Sequence, residues 1–412
     1  MCRRVRNAGK NFQNKRQLYG YIFKTLLYLS AKKHIFRKAK AILSKKNIIF
    51  IVSIIISLGC SWLFIKTIEW SSLKNALTEA NYWFIIPAIV LAIFLYVVRA
   101  FRWQGLLSHI KPISALSLLS ITSISFMANN ILPARVGEVL RPFLLYKKEN
   151  IKFSTSFATV VVERIFDMLG LIIFAVATLF LLPNPDSASH SPSFAALSHE
   201  TITAGQSVIP SLKKWTGVFA AFGGITIISL FLIVEKPHFF KNILSTLCSF
   251  LPHKLKDKIF SLYDSFVFGL RILENKLKTV WILILSLIVW LIGGIEIYIL
   301  SFAFHLQLPF VGACLVAVCI ALAVALPQAP GYIGVFHIAV LKSLHIFGID
   351  TTLAQSYAII LWAISIFPST IMGFLFLWKE GIAFREVVKL EEEISEGKLE
   401  EAEGVSSTPP QS

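Results

Sequence analysis

Residues 129–167, NNILPARVGEVLRPFLLYKKENIKFSTSFATVVVERIFD, place several charged side chains within a chain that is otherwise largely apolar. A charged side chain at the centre of a bilayer costs about 2.5–3.5 kcal/mol on insertion scales. A membrane protein that keeps several charges at that depth is therefore expected to use them. The charged residues of interest are Arg135, Glu138, Arg141, Glu163, Arg164 and Asp167.

The composition of the whole chain indicates a membrane protein. Its 412 residues are 56% hydrophobic and only 15% charged, and the mean hydropathy is +0.70. Ordinary soluble domains are about 25% charged. We therefore predict an all-α, polytopic membrane helix bundle, with no stretch long enough for a separate globular catalytic domain.

Six apolar segments are predicted to span the membrane fully. Each approaches the ~20 residues that an α-helix needs to cross a bilayer. They are residues 48–65, 83–98, 154–182, 216–234, 279–302 and 353–378.

Two more apolar segments, residues 113–132 and 311–347, do not fit as simple spans, because the loops flanking each one are expected on the same side of the membrane. Both are broken by the pattern L-P-x-x-x-G, with its proline at Pro133 in the first and at Pro327 in the second. We predict two re-entrant hairpins that enter from opposite faces. Such a pair is typical of an inverted repeat whose broken helices meet at the midplane of the membrane. The alternative is that the two patterns match by chance, because the shared pattern is short.

Lysine and arginine are unevenly distributed, which predicts the orientation of the spans. Residues 1–47 form a basic arm with 14 Lys or Arg and no acid, and residues 379–412 form an acidic, partly disordered tail with nine Glu. Because cytoplasmic loops retain Lys and Arg, we expect both termini and the 141–152 and 235–278 loops in the cytoplasm, and the 183–215 loop outside. This distribution accounts for the net charge of +17, so no nucleic-acid partner is expected.

Glu163 and Asp167 are four residues apart and therefore share one face of the predicted helix. Two carboxylates this close repel each other unless one is protonated or a cation lies between them. We hypothesise that Arg135 or Arg141 supplies the counter-ion, while Arg164 is expected to point elsewhere. Three roles stay open for this network: a structural lock between hairpin and helix, direct contact with substrate, or a proton relay.

Glu296 follows Gly293 and Gly294 within an apolar segment. An isolated carboxylate inside the membrane is a candidate for proton coupling or for contact with a cation. The alternative is a structural hydrogen bond to a neighbouring helix.

The helix breaks are candidate binding elements. Pro133 and Pro330 stand where helices could begin, and a helix N-terminus inside the membrane presents free N–H groups that suit phosphate. Gly137, Gly331 and Gly334 would let the backbone approach a lipid headgroup closely. The alternative interpretation is a simple kink with tight helix packing.

Three motifs, taken in order, resemble those of the flippase-like membrane domain family, which includes the membrane region of lysylphosphatidylglycerol synthases. They read N-x-L-P-x-R-x-G-E-x-x-R, E-R-x-x-D and L-P-x-x-P-G-x-x-G, and the resemblance covers roughly residues 45–378. It implies a flippase-like domain over residues 48–378 of a bacterial inner-membrane protein that binds and translocates a lipid or lipid-linked molecule. The positions it carries over are Asn130, Pro133, Arg135, Gly137, Glu138, Arg141, Glu163, Arg164, Asp167, Pro327, Pro330, Gly331 and Gly334.

We interpret the chain as a transporter rather than an enzyme, one that moves an anionic phospholipid or lipid-linked molecule between leaflets. Lysylphosphatidylglycerol synthases carry a large soluble aminoacyl-transfer domain after the membrane part, and the tail here is expected to be too short for one. The alternatives are a non-transporting, lipid-binding partner of an envelope biosynthetic enzyme and an integral-membrane lipid-modifying enzyme. No cofactor is expected, because the five cysteines lack metal-ligand spacing and no nucleotide-binding motif occurs.

Each candidate residue has an expected role in this interpretation. The three prolines break the helices, and the carboxylates outside the first hairpin form a charge network or couple protons. The headgroup contacts are expected from Asn130, Arg135, Gly137, Glu138, Arg141, Arg164, Gly331 and Gly334, the charge network from Glu163, Asp167 and Glu296, and the breaks from Pro133, Pro327 and Pro330.

Overall fold

A computed structural model describes most of the chain between residues 45 and 395. The described residues are 45–66, 68–132, 135–182, 236–248, 252–270, 274–325 and 329–395, with isolated residues between 221 and 235. The chain divides into two compact units between Ile55 and Ile56, and all contacts discussed below lie within the second unit. The described part is helical and contains no strand, which confirms the predicted all-α membrane bundle.

The helices are numbered in chain order, and two short 3₁₀ turns, Tyr82–Phe84 and Pro330–Tyr332, separate some of them. The helices are α1 (Lys45–Lys66), α2 (Trp70–Glu79), α3 (Ile85–Leu107), α4 (Ala115–Ile131), α5 (Gly137–Glu149), α6 (Phe153–Leu181), α7 (Pro237–Leu247), α8 (His253–Leu270), α9 (Lys276–Ala303), α10 (Phe310–Ala325), α11 (Val335–His345), α12 (Thr351–Lys379) and α13 (Phe384–Ser395).

Four described helices are long and apolar enough to cross a membrane: α6, α9, α12 and α3 together with the turn before it. They correspond to four of the six predicted spans. The predicted span 48–65 lies within α1, whose described apolar part, Ile55–Lys66, is short. The predicted span 216–234 lies largely outside the described residues, as do the 183–215 loop and most of the two terminal segments.

One predicted span ended too early. The sequence placed its end at Val98, just before Arg99 and Arg102, whereas α3 continues to Leu107. The helix can carry these arginines because both pair with carboxylates of another helix, so neither charge lies unpaired among apolar side chains.

The first predicted hairpin is formed by α4 and α5. At 1.5 Å per residue, their 17 and 13 residues span about 26 and 20 Å, less than the ~30 Å core of a bilayer. At the open end of the hairpin, Lys111 Nζ lies 2.9 Å from Glu149 Oε2. Lys148 of the same end pairs with Glu380, just after α12, so the hairpin opens at the end of the bundle where α12 finishes.

The second predicted hairpin is formed by α10 and α11, which have 16 and 11 residues. At the end of this hairpin away from its turn, the ring of Phe347 packs against Gly312 near the start of α10. This end follows the C-terminus of α9, where the Ala303 carbonyl accepts a hydrogen bond from the N–H of Asn81 at 2.8 Å. The opposite end of α9 lies with the first hairpin, because Lys278 donates to Ser108 Oγ at 3.0 Å.

The turns of the two hairpins meet. The Arg135 guanidinium donates to the carbonyl oxygen of Val324, in the last turn of α10. The Pro330–Tyr332 turn packs against α4, with Gly331 beside the carbonyl oxygen of Asn130. The prediction of two opposed hairpins is therefore confirmed, whereas their origin as an inverted repeat stays a prediction.

Candidate functional site

A cluster of paired charges lies between α3, α5 and α6, and Arg102 of α3 is at its centre. Arg102 Nη2 lies 2.9 Å from Glu163 Oε1, and neither side chain is exposed. Arg102 Nη1 binds Asp167 Oδ1 and donates to Ser286 Oγ of α9 at 2.9 Å. One buried guanidinium thus links both carboxylates of α6 to two other helices.

Arg141 of α5 completes the coordination of Glu163. Its Nη1 lies 2.7 Å from Glu163 Oε2, and its Nη2 donates to Thr122 Oγ1 of α4 at 3.1 Å. The guanidinium also lies 3.8 Å from the centre of the Trp103 ring, which is a favourable cation–π distance. Of the two arginines expected to face these carboxylates, Arg141 does so and Arg135 does not.

Two further arginines flank the outer side of Asp167. Arg99 Nη1 lies 3.7 Å and Arg164 Nη1 lies 3.4 Å from Asp167 Oδ2. Arg164 Nη2 also reaches Glu163 Oε1 at 3.2 Å, so the expectation that Arg164 points elsewhere was wrong. The long side chain bends back along α6, where a residue three positions on is a neighbour on the helix surface.

The two outer arginines differ from the inner ones in accessibility. The Arg164 side chain is 34% exposed and that of Arg99 is 15% exposed, whereas Arg141 is only 2% exposed. The Nε groups of all four arginines are buried and donate to no described atom. Exposure, and not an unused donor, therefore distinguishes Arg99 and Arg164 from the inner pair.

The cluster carries an excess of positive charge. Among the ion-paired groups, four guanidinium groups share two carboxylates, which is a formal excess of two positive charges. Burying an ion costs several kcal/mol unless opposite charge and hydrogen bonds compensate it. The arrangement is therefore suited to accept an anion beside Arg99 and Arg164.

The other predicted residues of the first hairpin have mostly structural contacts. Asn130 Nδ2 donates to Ser369 Oγ at 2.9 Å and to Thr370 Oγ1 at 3.0 Å, which ties α4 to α12. A Cβ on Gly137 would overlap the carbonyl oxygen of Ser125, so only glycine allows α5 to start this close to α4. Glu138 interacts electrostatically with Arg164.

The predicted residues of the second hairpin shape its turn, where Pro330 begins the 3₁₀ turn. Gly331 and Gly334 have φ values of 72° and 84°, in the left-handed region that favours glycine. The Gly331 carbonyl accepts a hydrogen bond from Trp362 Nε1 at 2.7 Å. A Cβ on Gly334 would lie 2.5 Å from the Ser57 carbonyl oxygen. Pro133 and Pro327 lie outside the described residues.

Glu296 of α9 is buried, with 7% of its surface exposed. No Lys, Arg or His nitrogen of the described chain lies within 4 Å of its carboxylate. Its phenolic neighbours include Tyr96 and Tyr357, with which it interacts electrostatically. Glu296 is thus separate from the ion-paired cluster.

The sequence analysis missed Arg99 and Arg102. The signal was present, because no proline or glycine separates these arginines from the apolar run of residues 88–98. A search for arginines at the end of every apolar run would have included both residues.

Comparison with known proteins identifies the family. Residues 50–373 match the family described as the lysylphosphatidylglycerol synthase TM region. A UPF0104 membrane protein of Methanocaldococcus jannaschii is 28% identical over 262 residues, which cover 63% of this chain and 96% of that protein. A second UPF0104 membrane protein of the same organism is 22% identical over 347 residues, covering 81% of this chain and 94% of that protein.

A further match is longer than this chain. The glycosyltransferase AglD of Haloferax volcanii is 22% identical over 281 residues, which cover 66% of this chain and 45% of AglD. No solved structure matches the chain significantly. Because the family match extends over most of the chain, this multi-pass membrane protein belongs to the lysylphosphatidylglycerol synthase TM region family.

Proposed function

We propose that this protein binds the anionic headgroup of a lipid, or the phosphate of a lipid-linked molecule, at the charge cluster and moves it between leaflets. The observation that supports the proposal is the excess of two positive charges among the paired residues of α3, α5 and α6. A net positive charge inside a membrane protein favours an anion from outside the protein. A phosphate group supplies both the charge and the acceptors that guanidinium groups bind well.

The four arginines of the cluster would have two different roles, one structural and one in binding. The Nη groups of Arg102 and Arg141 donate to Glu163, Asp167 and neighbouring hydroxyls. We therefore assign these two arginines a structural role, in which they hold the helices together. Arg99 and Arg164 are the more accessible pair and would contact the headgroup. Asp167 lies between these two and would compete with the headgroup for them, which keeps binding reversible.

The hairpins suggest how the site would face each leaflet in turn. Their turns meet through Arg135 and Val324, and they open at opposite ends of the bundle. Movement of either turn away from the other would open a path to the cluster from one side, as in transporters with paired broken helices. In this scheme Arg135 joins the headgroup site when its contact with α10 is broken, and Glu296 stays a candidate for proton coupling.

We place the protein in the bacterial inner membrane with both termini in the cytoplasm. The open end of the first hairpin carries Lys111, Lys147 and Lys148, and Lys276 and Lys278 begin α9 at the same end. Cytoplasmic surfaces retain lysine and arginine. This grouping supports assigning that end of the bundle to the cytoplasm.

A second candidate function rests on the match to AglD. That protein is named a glycosyltransferase, and the matched region is less than half of it. A membrane domain of this family would in that case present a lipid-linked molecule to an enzyme without moving it across the membrane. The charge cluster would then bind the same anionic group, and translocation would be absent.

A leaflet-exposure assay tests the proposal. Purified protein is reconstituted into liposomes with fluorescent phosphatidylglycerol, a membrane-impermeant reductant is added outside, and the protected fraction is followed for wild type, Arg164→Gln and Lys241→Gln. Lys241 is the matched control, because it also pairs with an acid but lies in α7, with a side chain 39% exposed. We expect faster loss of protection with wild type and with Lys241→Gln, and a roughly tenfold slower rate with Arg164→Gln, since hydrogen bonds to charged groups contribute about 1.5–3 kcal/mol.

Three outcomes separate the candidates. Transfer that requires Arg164 supports translocation through the cluster. Binding of the labelled lipid without transfer, lost in Arg164→Gln, supports the presenting role instead. Neither binding nor transfer with phosphatidylglycerol and with a polyprenyl phosphate, with or without a pH gradient, would overturn the anion site.

A further inference from the structure

A groove of about 680 Å³ is lined by none of the residues of the charge cluster. It is formed by α3, the loop between α3 and α4, and the first third of α9. Its walls are mainly apolar and include Val98, Phe101, Ile113, Trp281 and Leu285. Pockets of about 300–1,000 Å³ are the size that buries most of a small organic ligand.

The groove extends over the height of one leaflet. Its lining on α3 runs from Val98 to Ser108, ten residues that rise about 15 Å at 1.5 Å per residue. The hydrocarbon core of a bilayer is about 30 Å thick, so the groove spans about half of it. Its inner end is next in sequence to the cluster, because Val98 precedes Arg99 and Leu285 precedes Ser286, which binds Arg102.

The outer end of the groove is polar and positively charged. Ser108 and Ser114 line it, and Ser108 Oγ accepts a hydrogen bond from Lys278 Nζ at 3.0 Å. Lys278 is exposed, and no described carboxylate lies within 4 Å of its ammonium group. By contrast, the nearby Lys111 is neutralised by Glu149.

We propose that this groove holds one hydrocarbon chain of an anionic phospholipid of the adjacent leaflet, with the headgroup at Lys278 and Ser108. The apolar walls match the chain, the height matches one leaflet, and the charge at the mouth matches an anionic headgroup. The hydrophobic effect does not select the chain here, because surrounding lipid tails are equally apolar; packing against the walls and the charge of Lys278 do. The site would deliver lipid to the cluster, and this part of the inference rests on the proposed function.

Photocrosslinking tests the site without requiring translocation. Purified full-length protein is placed in phosphatidylcholine nanodiscs that contain phosphatidylglycerol with a diazirine midway along one acyl chain, and labelled peptides are mapped after irradiation. The groove predicts labelling of residues 98–108 and 281–285. Gly105→Phe should fill the groove, because Gly105 lines it and the nearest atom to an added Cβ, on Ile282, is at an ordinary contact distance of 3.8 Å. Gly293→Phe, on α9 where no atom lies within 4 Å of the added Cβ, is the matched control.

We expect labelling of both segments in wild type and in Gly293→Phe, and loss of most of it in Gly105→Phe. Lys278→Gln should lower labelling by phosphatidylglycerol about fivefold, the factor that corresponds to ~1 kcal/mol for a lysine near an anionic headgroup. A diazirine phosphatidylcholine should label weakly and be unaffected by Lys278→Gln. Wild-type labels that spread evenly over all membrane helices would overturn the chain site, and equal labelling by the two lipids would overturn the headgroup preference.

The groove and the proposed function can fail separately. If the crosslinks map as expected and the leaflet-exposure assay shows no transfer, the groove is a lipid site of a non-transporting protein. If transfer depends on Arg164 and Gly105→Phe leaves the crosslinks unchanged, the cluster works without this groove. Size-exclusion elution identical to wild type ensures that each variant is folded when it is compared.

Discussion

Arg102 and Glu163 form an ion pair with an Nη2–Oε1 distance of 2.9 Å in which neither side chain is exposed. Arg102 comes from α3 and Glu163 from α6, helices that are far apart in sequence. A fully buried ion pair loses its hydration on both sides, so it persists only where geometry and additional hydrogen bonds are favourable. Ser286 and Arg141 supply those additional bonds, which makes this pair the fixed part of the cluster.

Removing Arg102 should therefore damage the fold more than removing Arg164. Arg102→Met leaves two carboxylates with one buried partner fewer, and breaking a buried pair on one side costs about 3–5 kcal/mol. Arg164→Gln should cost about 1 kcal/mol or less, because the Arg164 side chain is 34% exposed and exposed pairs contribute little. Thermal unfolding of the purified proteins in detergent measures both changes, and equal stability of the two variants would contradict a structural role for Arg102.

Asp167→Asn should strengthen anion binding and slow release. The Asp167 carboxylate contacts Arg99, Arg102 and Arg164, and in the proposed function it is the acid that an incoming headgroup would replace. Its neutralisation raises the positive excess of the cluster from two to three. We expect more phosphatidylglycerol to co-purify with Asp167→Asn than with wild type, together with slower transfer in the leaflet-exposure assay. Weaker co-purification would show instead that Asp167 orients the arginines for binding.

Gly137→Ala and Gly293→Ala should change stability in opposite directions. A Cβ at Gly137 meets the Ser125 carbonyl oxygen and the Asn129 side chain, and overpacking of this kind costs about 1–3 kcal/mol. Gly293 has open space around it, and alanine within a helix is favoured over glycine by about 0.5–1 kcal/mol. Thermal midpoints in detergent report both effects, and a neutral Gly137→Ala would mean that α4 and α5 can separate freely.

Several parts of the fold followed from local chemistry in the sequence. The length of the apolar runs predicts α6, α9 and α12, and the matched L-P-x-x-x-G breaks predict the two hairpins. These signals are local, since a proline interrupts a helix and a long apolar run favours a membrane span whichever helices pack beside them.

The cluster depends on pairings that the sequence does not encode locally. Arg99 and Arg102 precede Glu163 by about sixty residues, and only the packing of α3 beside α6 brings them together. The predicted span ended at Val98 for the same reason. An arginine whose acidic partner is unknown indicates the end of a membrane span. The orientation of Arg164 was predicted wrongly because helical spacing determines only the direction in which a side chain leaves the helix. A long arginine side chain can bend back toward residues on an adjacent face.

The ion pair between Lys148 and Glu380 should make the end of the bundle where α12 finishes sensitive to acid. Partial burial by itself raises the pKa of Glu380, but hydrogen bonds from Lys148 and Ser120 outweigh it and hold this pKa below its usual range. The ionised carboxylate therefore stabilises the fold at pH values above the unfolded pKa, and this contribution is lost as the pH falls through the lower folded pKa.

Glu380→Gln should remove part of the acid sensitivity of the protein. The loss of thermal midpoint between neutral pH and about pH 4 should be smaller in Glu380→Gln than in wild type. The effect should stay below about 1 kcal/mol, because the pair is near the surface. Glu386→Gln is the matched control, since Glu386 is 53% exposed and lies 3.6 Å from Lys147. The same acid response in all three proteins would exclude a contribution from Glu380.

Arg135→Gly should loosen the meeting point of the hairpins without unfolding the protein. Arg135 has a φ of 55°, which glycine adopts without the strain that other residues suffer. Its guanidinium binds the Val324 carbonyl at the C-terminal end of α10, where the free carbonyls carry partial negative charge. Loss of this contact should speed amide hydrogen exchange in the last turn of α10, residues 321–325, and leave α9 unchanged. Arg135→Lys keeps the charge and should show a smaller increase. Unchanged exchange at 321–325 in Arg135→Gly would mean that the two turns are held together by packing alone, and that opening of the path to the cluster has to begin elsewhere.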